Sequence, residues 1–317
     1  MRIAYFGSGE IGLECLNAIK NSAHELVFIV TQPPNPAGRG RKPNPTPVAH
    51  WAMSHSVPFI ETSNINTQEN IENISSCYNP DLIVVIAFGQ KISQKLVDLP
   101  PKGAINVHAS LLPKYRGAAP INMAIVNGDK VSGVSIIELA QKMDAGAVLA
   151  ESQIEIAPDE TAGSLHDKLA KLAPSVLLET LDKIENGTAV YTEQEHDKAT
   201  LAPKLSKSDG YLDFNEPAEV LERKIRGFWP WPGASANYQS METGKTIRVT
   251  LAMAQVVETK SSKLTPGTVN ENLNIICGKN ALKITQIKPS GSGLMNLKCF
   301  INGRNTKPGD LFTRINL

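Results

Sequence analysis

Short β-rich apolar runs alternate with helical stretches along the first two hundred residues, and this order restricts that part of the chain to an open parallel sheet with crossover helices. The runs fall at 2–6, 25–30, 81–86, 104–107, 133–138 and 147–156, with helical stretches near 11–20, 67–77 and 119–126. The clearest helix starts at Thr161 and carries Leu165, Leu169, Leu172, Val176 and Leu177 on one face until Asn186-Gly187 ends it. Pro174 falls inside that pattern and is expected to kink the helix or break it in two.

After Tyr191 the sequence turns polar and aperiodic, as a linker between domains does. Beyond it a short helix at 216–227 precedes β-rich runs at 247–254, 268–270, 274–276 and 282–288, separated by turn residues, which predicts a small antiparallel barrel. The expected organisation is therefore a catalytic domain over 1–190, a linker over 191–208 and a second domain over 209–317, within the reach of a chain of 317 residues. Met1 leads straight into a strand, and no apolar run is long enough to span a bilayer, so a cytoplasmic protein without a membrane partner is expected. Cys15, Cys77, Cys277 and Cys299 stand singly, without metal-ligand or redox spacing, and no metal is expected.

Charge divides along the chain. Residues 1–206 carry 17 Lys and Arg against 22 Asp and Glu, whereas residues 207–317 carry 15 against 9. A basic second half fits a polyanionic partner.

The loop Gly7-Ser8-Gly9-Glu10-Ile11-Gly12 follows the first strand and opens a helix, in the context of a dinucleotide fingerprint. That reading also needs an acidic residue at the end of the second strand, where this chain has Val30-Thr31-Gln32. A tight turn packing helix on strand is the better account.

Chemistry concentrates where the run at 104–107 breaks into a polar loop, Asn106-Val107-His108-Ala109-Ser110-Leu111-Leu112-Pro113. In an open α/β sheet ligands bind at the carboxyl ends of strands, and Asn106 and His108, two apart, project from one face.

Asn106-x-His108-x-Ser110-Leu111-Leu112-Pro113, followed by Met143-Asp144-Ala145-Gly146, resembles the folate-dependent formyltransferase family. Further stretches resemble the members that act on an aminoacylated tRNA: Pro36-Ala37-Gly38-Arg39-Gly40, Tyr115-Arg116-Gly117-Ala118-Ala119-Pro120-Ile121, Lys204-Leu205-Ser206-Lys207 and Ile225-Arg226-Gly227-Phe228-Trp229-Pro230-Trp231-Pro232. The resemblance covers essentially the whole chain. It implies a Rossmann-like α/β catalytic domain followed by a barrel of the oligonucleotide-binding type. It also implies transfer of a formyl group from 10-formyltetrahydrofolate to the amine of initiator methionyl-tRNA, by a monomer without a metal; an amino-sugar nucleotide or glycinamide ribonucleotide is the alternative acceptor.

By the same resemblance Asn106, His108 and Asp144 form the catalytic trio. Ser110, Leu111, Leu112 and Pro113 belong to the wall of the folate site, and Phe88-Gly89 starts the loop facing the pterin. Lys91-Ile92-Ser93 stands where the family continues through an apolar stretch with a proline. The loop at 33–47, with six prolines, Arg39, Arg41 and Lys42, is too long and basic for an idle connection, and in the family it enters the acceptor end of the tRNA. Lys207, near the end of the linker, is a further expected tRNA contact.

Overall fold

A computed structural model describes residues 1–37, 42–259 and 263–316. The chain divides into two compact units, one formed by Met1–Pro120, Val131–Glu155 and His166–Ala202, the other by Ile121–Lys130, Ile156–Leu165 and Pro203–Leu317.

The first unit contains β1 (Arg2–Gly7), β2 (Glu25–Thr31), β3 (Asn35–Ala37), β4 (Lys42–Asn44), β5 (Phe59–Glu61) and β6 (Leu82–Ile86), followed by β7 (Ala104–His108), β8 (Arg116–Gly117), β9 (Val131–Glu138), β10 (Val148–Glu155) and β11 (Leu201–Ala202). Seven of these strands form one sheet in the order β10-β9-β7-β6-β1-β2-β5. The strands from β7 to β5 run parallel, so the carboxyl ends of β1, β6 and β7 share one edge. The last two strands depart from the expected parallel pattern, since β9 is antiparallel to β7 and β10 to β9. Both orientations can present similar apolar runs, so strand direction was not written in the pattern.

Alternate residues of the sheet bury Ala4, Phe6, Phe28, Val30, Ile83 and Val85 in one apolar cluster. Gly12 lets the following helix, Leu13–Lys20, lie close to β1, because a Cβ there would stand 1.8 Å from Tyr5 Oη. The long helix Ala162–Glu185 runs through Pro174 without a break. Leu169, Leu177 and Leu181 are fully buried along it. Burying three leucines stabilises by about 5 to 9 kcal/mol, which outweighs roughly 3 kcal/mol for an internal proline. The stretch 191–208, expected as a linker, includes β11, which pairs in parallel with β8.

The second unit contains β12 (Ala234–Gln239), β13 (Thr246–Val257), β14 (Ile275–Ile276), β15 (Ala281–Pro289), β16 (Met295–Asn296) and β17 (Leu311–Thr313). The main path is β14-β15-β13-β12-β17, antiparallel throughout. Bridges from Thr268 to Leu311 and from Val269 to Ile275 connect its two edges and nearly close the barrel. Leu221 and Ile225 of the helix Ala218–Gly227 bury their side chains with Tyr238, Leu251, Ile284 and Phe312 in this barrel's core. β12, β17 and the helix Leu297–Arg304 were not foreseen. Among the described residues no helix is long and apolar enough to cross a membrane.

Candidate active site

β7 delivers Asn106 and His108 to the carboxyl edge of the sheet with their side chains on the same face. Its neighbours fix that end, with Asn106 opposite Val85 of β6 and Ile137 of β9, and His108 opposite Ser135. Asp144 arrives from the turn between β9 and β10. The Asn106 amide nitrogen lies 3.4 Å from its Oδ1, and His108 Nδ1 lies 3.7 Å from its Oδ2. The first is a long hydrogen bond, and the second lies beyond hydrogen-bond reach. His108 is only 5 % exposed. Its Nε2 donates to the Tyr115 carbonyl at 3.0 Å, which places a proton on that nitrogen and leaves Nδ1 as the ring atom facing Asp144.

The turn that presents Asp144 is built against local preference. Asp144 has φ 51°, a left-handed conformation that costs a non-glycine residue about 1 to 3 kcal/mol. The Gly117 amide donates to Asp144 Oδ2 at 2.8 Å. Gly117 itself has φ 124°, and a Cβ there would stand 2.5 Å from the Ala202 carbonyl oxygen, so only glycine allows this donor to approach while β8 pairs with β11.

The expected folate-wall residues form a compact loop directly after β7. Ser110 Oγ donates to the Lys114 carbonyl at 2.7 Å, closing a turn over Leu111 to Pro113. The Leu112 amide donates at 3.1 Å to Ser135 Oγ, a fully buried hydroxyl that lies 2.7 Å from both Ser110 O and Glu151 Oε1 and donates to one of them at a time. Phe88 and Gly89 lie just past the end of β6, at the same edge. The Phe88 ring is buried in the apolar cluster, 5.6 Å from the ring of Phe6, so what this residue offers a ligand is backbone. Gly89 is exposed, with φ 77°.

Of the expected tRNA contacts, Arg39 and Arg41 lie outside the described residues, as does the side chain of Lys42. The arms that carry them are described: β3 and β4 pair antiparallel, Asn35 opposite Asn44, Pro36 opposite Pro43 and Ala37 opposite Lys42. Thr46 caps the helix Pro47–Ser54 by accepting from the Ala49 amide, and its hydroxyl meets that of Thr31 at 2.7 Å, anchoring the insert to the end of β2. Lys207 belongs to the second unit, where it is exposed at the start of a 3-10 turn.

Several groups escaped sequence reasoning. Gln194 donates from Nε2 to the carbonyls of Asp144 and Gly146, at 2.9 and 2.7 Å. Arg116 donates to Gln194 Oε1 from Nε at 3.1 Å and from Nη2 at 2.6 Å. Arg116 stood in a recognised motif without a role, and Gln194 stood in a polar stretch with no pattern to mark it. Elsewhere in this unit, His24, Asp182 and Glu185 bring together three groups of metal-ligand type. The ring nitrogens lie 3.3 Å from the Asp182 carboxylate and 3.7 Å from that of Glu185.

Comparison with known proteins bears on both parts of the chain. Residues 1–181 match the family model described as formyl transferase, and residues 204–305 match the model described as formyl transferase, C-terminal domain. The chain is 39 % identical to methionyl-tRNA formyltransferase of Agathobacter rectalis over 317 residues, covering 99 % of this chain and 100 % of the relative. It is 37 % identical to the enzyme of the same name from Acetivibrio thermocellus, with 98 % and 99 % covered. Among solved structures, HypX from Aquifex aeolicus in complex with tetrahydrofolic acid aligns with TM-score 0.64 at 18 % identity, over 97 % of this chain and 48 % of that one. An N-formyltransferase from Helicobacter canadensis, in complex with folinic acid and dTDP-3-aminofucose, aligns with TM-score 0.64 at 16 % identity, over 89 % and 98 %. These two likenesses concern the fold.

Proposed function

The chain belongs to the formyl transferase family, and from that premise we propose that it transfers the formyl group of 10-formyltetrahydrofolate to the free amino group of initiator methionyl-tRNA. Relatives that carry the name methionyl-tRNA formyltransferase along nearly their whole length support the acceptor. The single observation that carries the chemistry is the convergence of the Asn106 amide nitrogen and the His108 Nδ1 ring nitrogen on one carboxylate at the edge of the sheet.

Attack of a neutral amine on the formyl carbon develops negative charge on the formyl oxygen. The Asn106 amide donates to that oxygen, and in sites of this kind one such donor contributes about 3 to 4 kcal/mol to the rate. His108, fixed as a donor on Nε2 by the Tyr115 carbonyl, moves protons at Nδ1. The attacking amine must lose a proton and the departing folate nitrogen must gain one, and the His108–Asp144 pair passes it between them. Asp144, held by Gly117 and facing Nδ1, stabilises the charged ring during that passage. Ser110 to Pro113 wall the donor, with Gly89 presenting backbone to it. The stiff β3–β4 insert with Arg39, Arg41 and Lys42, together with Lys207, meets the acceptor tRNA. Every group of the trio comes from one copy of the chain, so a monomer suffices, and a reaction that serves translation initiation belongs in the cytoplasm.

The deciding experiment supplies 10-formyltetrahydrofolate with methionyl-tRNA, with glycinamide ribonucleotide or with a dTDP-linked amino sugar, and follows N-formyl product. Formylmethionyl-tRNA as the dominant product is expected. Preferential formylation of the sugar nucleotide or of glycinamide ribonucleotide would overturn the acceptor, and no formylation of any of the three would overturn the reaction.

A further inference from the structure

Gln194 is 7 % exposed, yet every hydrogen-bonding group of its amide that the fold can satisfy is satisfied. Two donors of Arg116 converge on one side of the amide and two carbonyls stand on the other, so the surroundings themselves fix which atom is oxygen and which is nitrogen. The two carbonyls belong to Asp144, which is left-handed, and to Gly146 two residues on in the same turn. At Gly146 the turn passes so close to β9 that a Cβ would meet the Glu138 carbonyl oxygen at 1.9 Å. Arg116, for its part, belongs to the same two-residue strand as Gly117, whose amide holds the Asp144 carboxylate. The Asp144 turn is thus gripped twice from one strand, on its side chain through Gly117 and on its main chain through Arg116 and Gln194. Arg116 Nη2 also meets His196 Nδ1 at 2.8 Å, which steadies the guanidinium from its outer side.

We infer that Gln194, oriented by Arg116, is a positioning residue for the formyl transfer, acting through the main-chain carbonyls of Asp144 and Gly146 to set the Asp144 carboxylate against His108 and Asn106. This rests on the reaction proposed above. A carboxylate placed by the backbone of a strained turn moves when that backbone relaxes, and sub-ångström displacement of a proton-transfer partner acts on turnover rather than on substrate binding. Gln194 touches neither reacting group, so its removal leaves the folate wall and the tRNA contacts in place.

The test uses the full chain with Gln194→Ala and Gln194→Glu. The glutamate keeps the volume and the pairing with Arg116 but presents oxygen to the two carbonyls, so it cuts the grip on the turn while preserving the anchor. Expected are a kcat lowered about tenfold or more in both variants, KM for the folate donor within about twofold of wild type, and an unfolding temperature for Gln194→Glu close to wild type. Hydrogen exchange at the Gly117 amide, which reports on the grip without any substrate, is expected to quicken about tenfold or more in both. The inference is overturned if kcat stays within about twofold of wild type in both variants, whatever the exchange, or if Gly117 remains as protected as in wild type. It is equally overturned if kcat falls only in proportion to a general loss of folding. Should the wild-type chain formylate a different amine, the acceptor reading fails while the same two variants on that substrate, with the Gly117 exchange, still decide the role of Gln194.

Discussion

At the scale of single residues, Asn106 Nδ2 and His108 Nδ1 lie 3.4 and 3.7 Å from a carboxylate that a backbone amide already holds. In the proposed reaction Asn106 donates to the charged formyl oxygen and His108 passes the proton, so removing either acts on the chemical step. Asn106→Ala and His108→Ala are each expected to lower kcat about a hundredfold or more, with an unchanged circular-dichroism spectrum and cooperative unfolding. Steady-state formylation by purified variants checks this, and near-normal turnover in either would remove that residue from the trio. Part of the site was legible in the chain alone. Asn106 and His108 announce themselves by sitting two apart where a strand turns polar, a local signal. Asp144 does not, since 38 residues separate it from Asn106 and only the resemblance supplied it. Gln194 was illegible because the groups it holds in the turn are main-chain carbonyls, which ask for no particular residue, and its side-chain partner Arg116 is 78 residues away.

At the scale of elements, the β3–β4 pair turns a proline-rich insert into a braced arm whose two ends are fixed by ladder pairing and by the Thr31–Thr46 contact. Under the proposed function this arm meets the acceptor, away from the donor site. Arg39→Ala is expected to depress kcat/KM for methionyl-tRNA at least tenfold, about 1.4 kcal/mol, with affinity for a folate analogue unmoved. Arg39→Lys should restore only part, because a point charge does not reproduce the planar fork. Equal losses for tRNA and folate would mean a disturbed fold. In the barrel, Tyr238 of β12 is 2 % exposed and donates at 2.6 Å to Asp310, the residue before β17, which also accepts from the Met241 and Lys307 amides. Burial, and then the bond to Asp310, push the Tyr238 hydroxyl up to about 12. A phenol raised in the folded state stabilises fully below its ordinary value near 10 and loses that contribution as pH climbs through 10 to 12. Tyr238→Phe is expected to unfold at lower temperature than wild type at pH 8, with the difference shrinking between pH 10 and 12 in thermal melts. A constant difference over that range would detach Tyr238 from the stability of the barrel. In the first unit β1, β2, β6, β7, β9 and β10 were readable because each is a local run, whereas β3, β4, β5, β8 and β11, of two or three residues each, were not. β12 and β17 were not, since Ala234–Gln239 mixes small and polar residues and Leu311–Thr313 is three residues long.

At the scale of the whole molecule, assigning charges by compact unit preserves the division seen along the chain, with net −4 for the first unit and +5 for the second. A partner held largely by its phosphates binds with an affinity that falls steeply as counterions accumulate. Raising salt from 50 to 200 mM is expected to weaken tRNA binding by the intact chain about tenfold or more, and binding flat in salt would count against a polyanion-facing surface. The barrel was legible as a class from its spaced runs, but the extent of its unit was not, because Ile121–Lys130 and Ile156–Leu165 group with it from far upstream. Such recruitment is a matter of long-range contact, which no local pattern encodes. It also bears on how the protein is born. At about 5 to 20 residues per second, a ribosome exposes residues 121–130 and 156–165 roughly 7 to 38 s before the last strand emerges. During that interval these two segments lack most of the unit to which they belong, so the second unit can settle only once synthesis is nearly done.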